Sequence, residues 1–199
     1  LLLAAGAIRG IYPFLAVTDR LATEVLVIEG WAPEFALEAG VREFRRGGYR
    51  EFYSTGGPIE KGDPNFAHGS FAELGRVMLV RLGAPAEALR AVPAPKVRRD
   101  RTIASAIALR ESLRQRGRLP SALNVMTTDA HARRTRLLFE KAFGGSTRIG
   151  IIAITDERFE GSRWWRSSAG VRAISEEWVG YLYARFFSVF ADDLTDYRV

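Results

Sequence analysis

Asn124–Phe139, NVMTTDAHARRTRLLF, is the stretch that decides the fold. With Leu123 before it, Val125 and Met126 form a short apolar run suited to a buried strand. Thr127, Thr128 and Asp129 interrupt the run with polar groups. From Ala130 the pattern turns helical: Leu137, Leu138, Phe139, Ala142 and Phe143 recur at helix spacing until Gly144-Gly145 stops them. A strand, a polar elbow and a helix follow in order, with Asp129 or Thr128 placed to cap the helix.

In open α/β sheets, ligands bind beyond the carboxyl ends of the strands, so the elbow is the expected site. A helix start offers unpaired N–H groups and the positive end of a dipole. His131 and Arg134 are three residues apart and share a helix face, with Arg133 and Arg136 flanking them. Two readings stand side by side: an anion or phosphate pocket, and a solvated basic helix face with His131 as a surface residue.

The chain has 199 residues, enough for one α/β domain with a sizeable core, and its 47% hydrophobic and 26% charged residues are globular in proportion. It has no cysteine, so thiolate metal sites, disulfides and cysteine nucleophiles are excluded. Only His68 and His131 are present and there is no H-E-x-x-H, so a zinc enzyme is not expected. The net charge of +6 fits an anionic partner. The basic residues are mostly arginines on amphipathic helices, without a nucleic-acid-binding signature, so nucleic acid is not the expected partner. An anionic small molecule, a lipid-linked phosphate or an acidic membrane surface fits the charge.

Leu1–Ile8 is uniformly apolar and the chain does not begin with Met. Residues 1–21 are expected to be an apolar segment and connector, the segment being the remnant of a membrane anchor or an ordinary helix packed on the domain. Tyr12-Pro13 is expected to end that helix. Residues 22–190 read as a single α/β domain and 191–199 as a tail. Glu24–Glu29 is a first buried strand, with Pro33 opening a helix over Glu34–Arg46. Tyr49–Thr55 is a second strand, followed by the polar loop Gly56–Gly69, whose Gly56-Gly57 pair permits close backbone approach of a ligand or simply a turn. Ser70 and Glu73 form a capping box for a helix to Leu82. Leu89–Val92 is a short strand, Thr102–Arg116 a helix with Asp100 as its cap, and Arg148–Ile154 a last strand. The aromatic pattern of Trp164–Phe190 predicts one long helix covering the sheet, its stripe more suited to core than to lipid. The alternation predicts a Rossmann-like three-layer α/β sandwich with a mainly parallel central sheet.

The chain resembles the bacterial YdcF/SanA/ElyC family over about Val25 to Phe187. Thr127, Thr128, His131 and Arg134 fall on the family's T-S-x-x-H-x-x-R-A segment. Thr55-Gly56-Gly57 matches its S-G-G after the second strand, and Glu73 its acidic residue on the next helix. Asp100-Arg101-Thr102 stands where the family has N-T-x-E-N, without that motif's acidic and amide positions. At the first strand end the chain has Glu29-Gly30-Trp31 instead of a glycine-rich turn, so a carboxylate is presented there.

The resemblance implies a domain associated with the cell envelope, placed at the inner membrane and outside the cytoplasm, and linked to cell-wall or lipid-carrier metabolism. One member is reported to bind S-adenosylmethionine. The G-x-G turn for that cofactor is absent here, and no cofactor is carried over. Two functions follow as expectations. In the first, an enzyme acts on a phosphorylated intermediate such as a lipid-linked sugar. His131 is its general acid or base and Arg134 clamps phosphate. Thr55, Gly56, Gly57, Thr102, Thr127 and Thr128 surround the ligand. Glu29, Glu73 or Asp100 holds Mg²⁺ or orients water, although no spacing marks a metal site. In the second, a non-catalytic binding or assembly module uses the same pocket; a nucleotide-binding protein ranks third. Either way His131, Arg134, Thr55 and Glu73 are expected to converge in one cleft.

Overall fold

A computed structural model describes residues 2–187. Five strands, β1 (Val25–Glu29), β2 (Glu51–Gly56), β3 (Leu89–Pro93), β4 (Ala122–Thr128) and β5 (Arg148–Ile154), form one sheet in the order β3-β2-β1-β4-β5. Every pairing is parallel. Parallel strands need crossovers, supplied here by α2 (Glu34–Arg46), α3 (Phe71–Arg81), α4 (Arg101–Gln115) and α5 (Ala132–Phe143).

Alternation along β1 explains the three layers. Val25 and Val27 join the core under α4 and α5, with Leu109, Leu113, Phe139 and Phe143. Leu26 and Ile28 face the opposite way, into the core under α2 and α3, with Leu37, Val41, Phe44 and Leu79. A strand buried on both faces is near-continuously apolar; β1 is buried at all five positions, and the one charged residue among them is Glu29 at its carboxyl end. The chain is thus a Rossmann-like α/β sandwich. Its strand order reverses between β1 and β4, which opens a crevice at their carboxyl ends.

Several expectations are corrected. α1 runs Leu2–Leu15, through Pro13 rather than ending before it. Pro13 lies in the last turn, where its missing N–H removes one helical bond. Docking offsets that loss: Leu15 is fully buried, and Phe14 meets Trp178 and Tyr181 edge-on at 5.7 and 5.3 Å. The expected placement in the cell inner membrane is also overturned, because no helix among the described residues is long and apolar enough to cross a membrane.

The predicted long C-terminal helix is two pieces. Trp164 and Trp165 lie in a tight 3₁₀ segment, Gly161–Arg166, and α6 begins at Ser168, where Ser167 Oγ accepts from the Gly170 N–H at 3.0 Å. α6 packs on α5 and α1 rather than over the sheet. Only part of its aromatic stripe is core, since Phe186 and Phe187 are 69% and 73% exposed. The last predicted residues of that helix and the tail at 191–199 lie outside the described residues. The loop after β2 is partly ordered by a bridge between Pro58 and Ser70, a 3₁₀ turn at Phe66–His68 and the buried Ile59.

Candidate functional site

The elbow after β4 differs from a simple capped helix. Asp129–His131 form a 3₁₀ turn before α5, and neither Thr128 nor Asp129 caps with its side chain. Asp129 sits at φ 42°, buried, its carboxylate set against the Tyr12 hydroxyl and the Asp156 backbone. Burial pushes its carboxyl above the usual range. The turn sets His131 against the end of β1.

Glu29 and Thr127 occupy the same sheet face as Val27 and Val125, which pair across β1 and β4. Both therefore point toward α5, and Thr127 Oγ1 donates to Glu29 Oε2 at 2.5 Å. Glu29 is 2% exposed and His131 7%. His131 Nε2 lies 3.5 Å from Glu29 Oε2, beyond ordinary hydrogen-bond length, and has no hydrogen-bond partner. On the other side, Nδ1 lies 2.9 Å from Glu177 Oε1. Arg134 closes the group as a fork, Nε to Glu177 Oε2 at 2.8 Å and Nη2 to Oε1 at 2.9 Å.

Two carboxylates and two cations alternate here, and the electrostatics follow from that order. Burial alone would lower the His131 pKa, but Glu29 and Glu177 push it up to about 9. Burial alone would raise Glu177, but His131 and Arg134 hold it at about 2. Glu29 is also held below the carboxylate range, its desolvation outweighed by His131, Thr127 and Arg134. At neutral pH His131 is an imidazolium that donates from Nδ1 to Glu177 and sets Nε2 against the Glu29 charge without a hydrogen bond. Its 2.9 Å approach to Arg134 Nη2 is then a contact of two cations bridged by Glu177 Oε1. Arg134 reaches that position by lying across Gly180, where a Cβ would stand 3.0 Å from its Nε.

This group forms one wall of a cleft of about 850 Å³ at the carboxyl ends of the strands. Of the residues singled out in the sequence, Glu29, Gly56, Gly57, Asp100, Thr102, His131 and Arg134 line it. The rest do not. Thr55 is fully buried behind, 3.5 Å from the Ile28 carbonyl. Thr127 acts through Glu29, and Thr128 ends β4. Glu73 stays on α3, its N–H capped by Ser70 and its carboxylate 3.0 Å from Arg76 Nε, so the reciprocal half of the capping box is not made. Arg133 lies over the Phe14 ring and Arg136 pairs with Asp19 and Glu140, both facing away from the site.

Across the cleft, α4 presents its first turn. Asp100 holds the N-cap position at φ 61°, and in that left-handed conformation its carboxylate makes no capping bond; it lies 3.8 Å from Arg99 instead. The first intrahelical bond is made by the Ala104 N–H to the Asp100 carbonyl. The N–H groups of Arg101, Thr102 and Ile103 precede it and have no place in the helical ladder. Thr102 and Ser105, one turn apart, line the cleft below them. Arg98 and Arg101 are exposed at its rim and make no ion pair among the described residues.

Sequence reasoning missed Glu177, Trp31 and the basic rim. Glu177 sits between Glu176 and Trp178 on a helix read as core, and nothing local distinguishes it from its exposed neighbour. Trp31 carries no motif that marks it, yet it is 42% exposed on the cleft wall, in a T-shaped contact with the His131 ring at 5.3 Å. No family model, no curated protein and no solved structure matches this chain.

Proposed function

We propose that this chain binds a phosphate-bearing small molecule in the cleft, with the anionic group at the first turn of α4, in keeping with its resemblance to the YdcF/SanA/ElyC family. One observation carries the reading. An uncapped helix start opens onto the same cleft as the buried His131, whose Nε2 makes no hydrogen bond among the described residues and stands 3.5 Å from Glu29. Free N–H groups and a dipole favour an anion. Arg98 and Arg101 add charge, and Thr102 and Ser105 add hydroxyl donors.

Arg134 is already forked onto Glu177, which favours a positioning role for it over a phosphate clamp. His131, charged to about pH 9, suits an acid that donates to a ligand oxygen or leaving group. It does not suit a general base at neutral pH. The self-balanced charges of Glu29, His131, Glu177 and Arg134 support a second reading, a binding module in which this group only holds α6 to the sheet.

Calorimetric titration with inorganic phosphate and phosphate monoesters tests the proposal. Binding is expected to weaken about tenfold or more in Arg98→Ala/Arg101→Ala, as loss of charged hydrogen bonds predicts. Absence of binding by any phosphate compound, with the protein folded, overturns it. Turnover of a monoester that His131→Asn abolishes while binding persists would favour catalysis over the binding-module reading.

A further inference from the structure

The cleft is far larger than a phosphate ion needs. Its volume of about 850 Å³ falls in the range of sites that enclose whole organic ligands. Beyond the charged residues and the hydroxyls of Thr102, Ser105 and Tyr183, its walls are largely apolar: Trp31, Pro58, Phe71, Val97 and Leu138 line it, and neither asparagine nor glutamine does.

Trp31 is the telling residue. It follows the end of β1 at the reversal of strand order, and its indole stands at 88° to the His131 ring. Close packing fixes the chain immediately before it: a Cβ on Gly30 would lie 2.1 Å from the Phe71 carbonyl oxygen. The His131 ring takes one contact with the indole, while 42% of the residue stays open. A large aromatic left exposed in a concave site is a stacking surface for a flat partner.

We infer that the ligand is a phosphate joined to a planar aromatic ring, of the nucleoside monophosphate class, with its ring on Trp31 and its phosphate at the first turn of α4. The inference rests on the phosphate reading above and adds the chemistry of the ligand's body. It assigns Trp31, which no sequence motif marked, as the residue that sets specificity.

The test titrates the intact protein with adenosine monophosphate, glucose 1-phosphate and inorganic phosphate, following heat and tryptophan fluorescence. Trp31→Leu and Trp31→Phe are measured in parallel, with thermal melts as folding controls. Adenosine monophosphate is expected to bind at least about tenfold tighter than either of the others, as base stacking implies. Trp31→Leu is expected to remove that advantage and Trp31→Phe to keep most of it. Equal binding of all three, or an advantage that survives in folded Trp31→Leu, overturns the aromatic-ring inference and leaves the phosphate reading standing. Failure of all three to bind overturns the phosphate reading, and the inference with it.

Discussion

His131 owes its charge to two carboxylates that come from opposite ends of the chain. Glu29 arrives with β1 and Glu177 with α6, and the imidazole lies between them. Glu29 gives the larger Coulombic push, while Glu177 makes the 2.9 Å contact with Nδ1 and also holds Arg134. Glu177→Gln is therefore expected to lower the His131 pKa from about 9 toward its ordinary value, read by NMR titration of the imidazole. Breaking a buried ion pair typically costs ~3–5 kcal/mol. Arg134 keeps a quarter of its side chain in solvent, so about 2–3 kcal/mol is expected by urea denaturation. An unchanged titration in a folded variant would remove Glu177 from the site. None of this was readable beforehand, because the pairing spans 46 residues and depends on how α6 docks.

At the scale of elements, local chemistry explains what was legible. The strand, elbow and helix of Asn124–Phe139 appear as expected because a doubly buried strand and an amphipathic helix carry different apolar periods. Asp100 and Pro13 misled because the sequence shows residue type, not backbone state. An aspartate in left-handed conformation cannot cap, and a proline in a last turn is tolerated when packing holds the helix. The glycines after β2 divide in the same way. Gly56 is required by packing, since a Cβ would stand 2.7 Å from Phe71 Cβ, whereas Gly57 faces open space. Gly57→Ala is expected to leave the melting temperature unchanged while weakening phosphate binding, because the methyl enters the cleft. Gly75→Ala is expected to do the reverse at the crossing of α3 and β1. Its Cβ would lie 2.5 Å from Gly30 Cα, an overpacking that costs ~1–3 kcal/mol. Thermal melts with calorimetry on both variants check the contrast, and equal melting temperatures would contradict it.

For the whole molecule, the buried charge group ties the sheet to α6, so stability should follow its titration. The folded pKa of His131 is raised from 6.5 to about 9. Its contribution is therefore fully present below about 6.5 and is lost as pH rises through about 9. The difference in pKa amounts to on the order of 3 kcal/mol, shared with Glu29 and Glu177 rather than added to theirs. Glu177 works at the other end: with its pKa lowered from 4.5 to about 2, its contribution is present above about 4.5 and is lost as pH falls toward 2. Asp129 opposes it in acid, because a buried carboxyl with a raised pKa destabilises the ionised folded state and protonation relieves that. The alkaline limb is thus the cleaner assay. Urea denaturation of the wild type and His131→Asn between about pH 6 and about pH 10 should give a stability difference that is largest at the low end and shrinks through about 9. A difference that stays constant across that range would mean His131 is neutral in the folded protein. The acid role proposed for it, and the charge balance that binds α6 to the sheet, would then both fall.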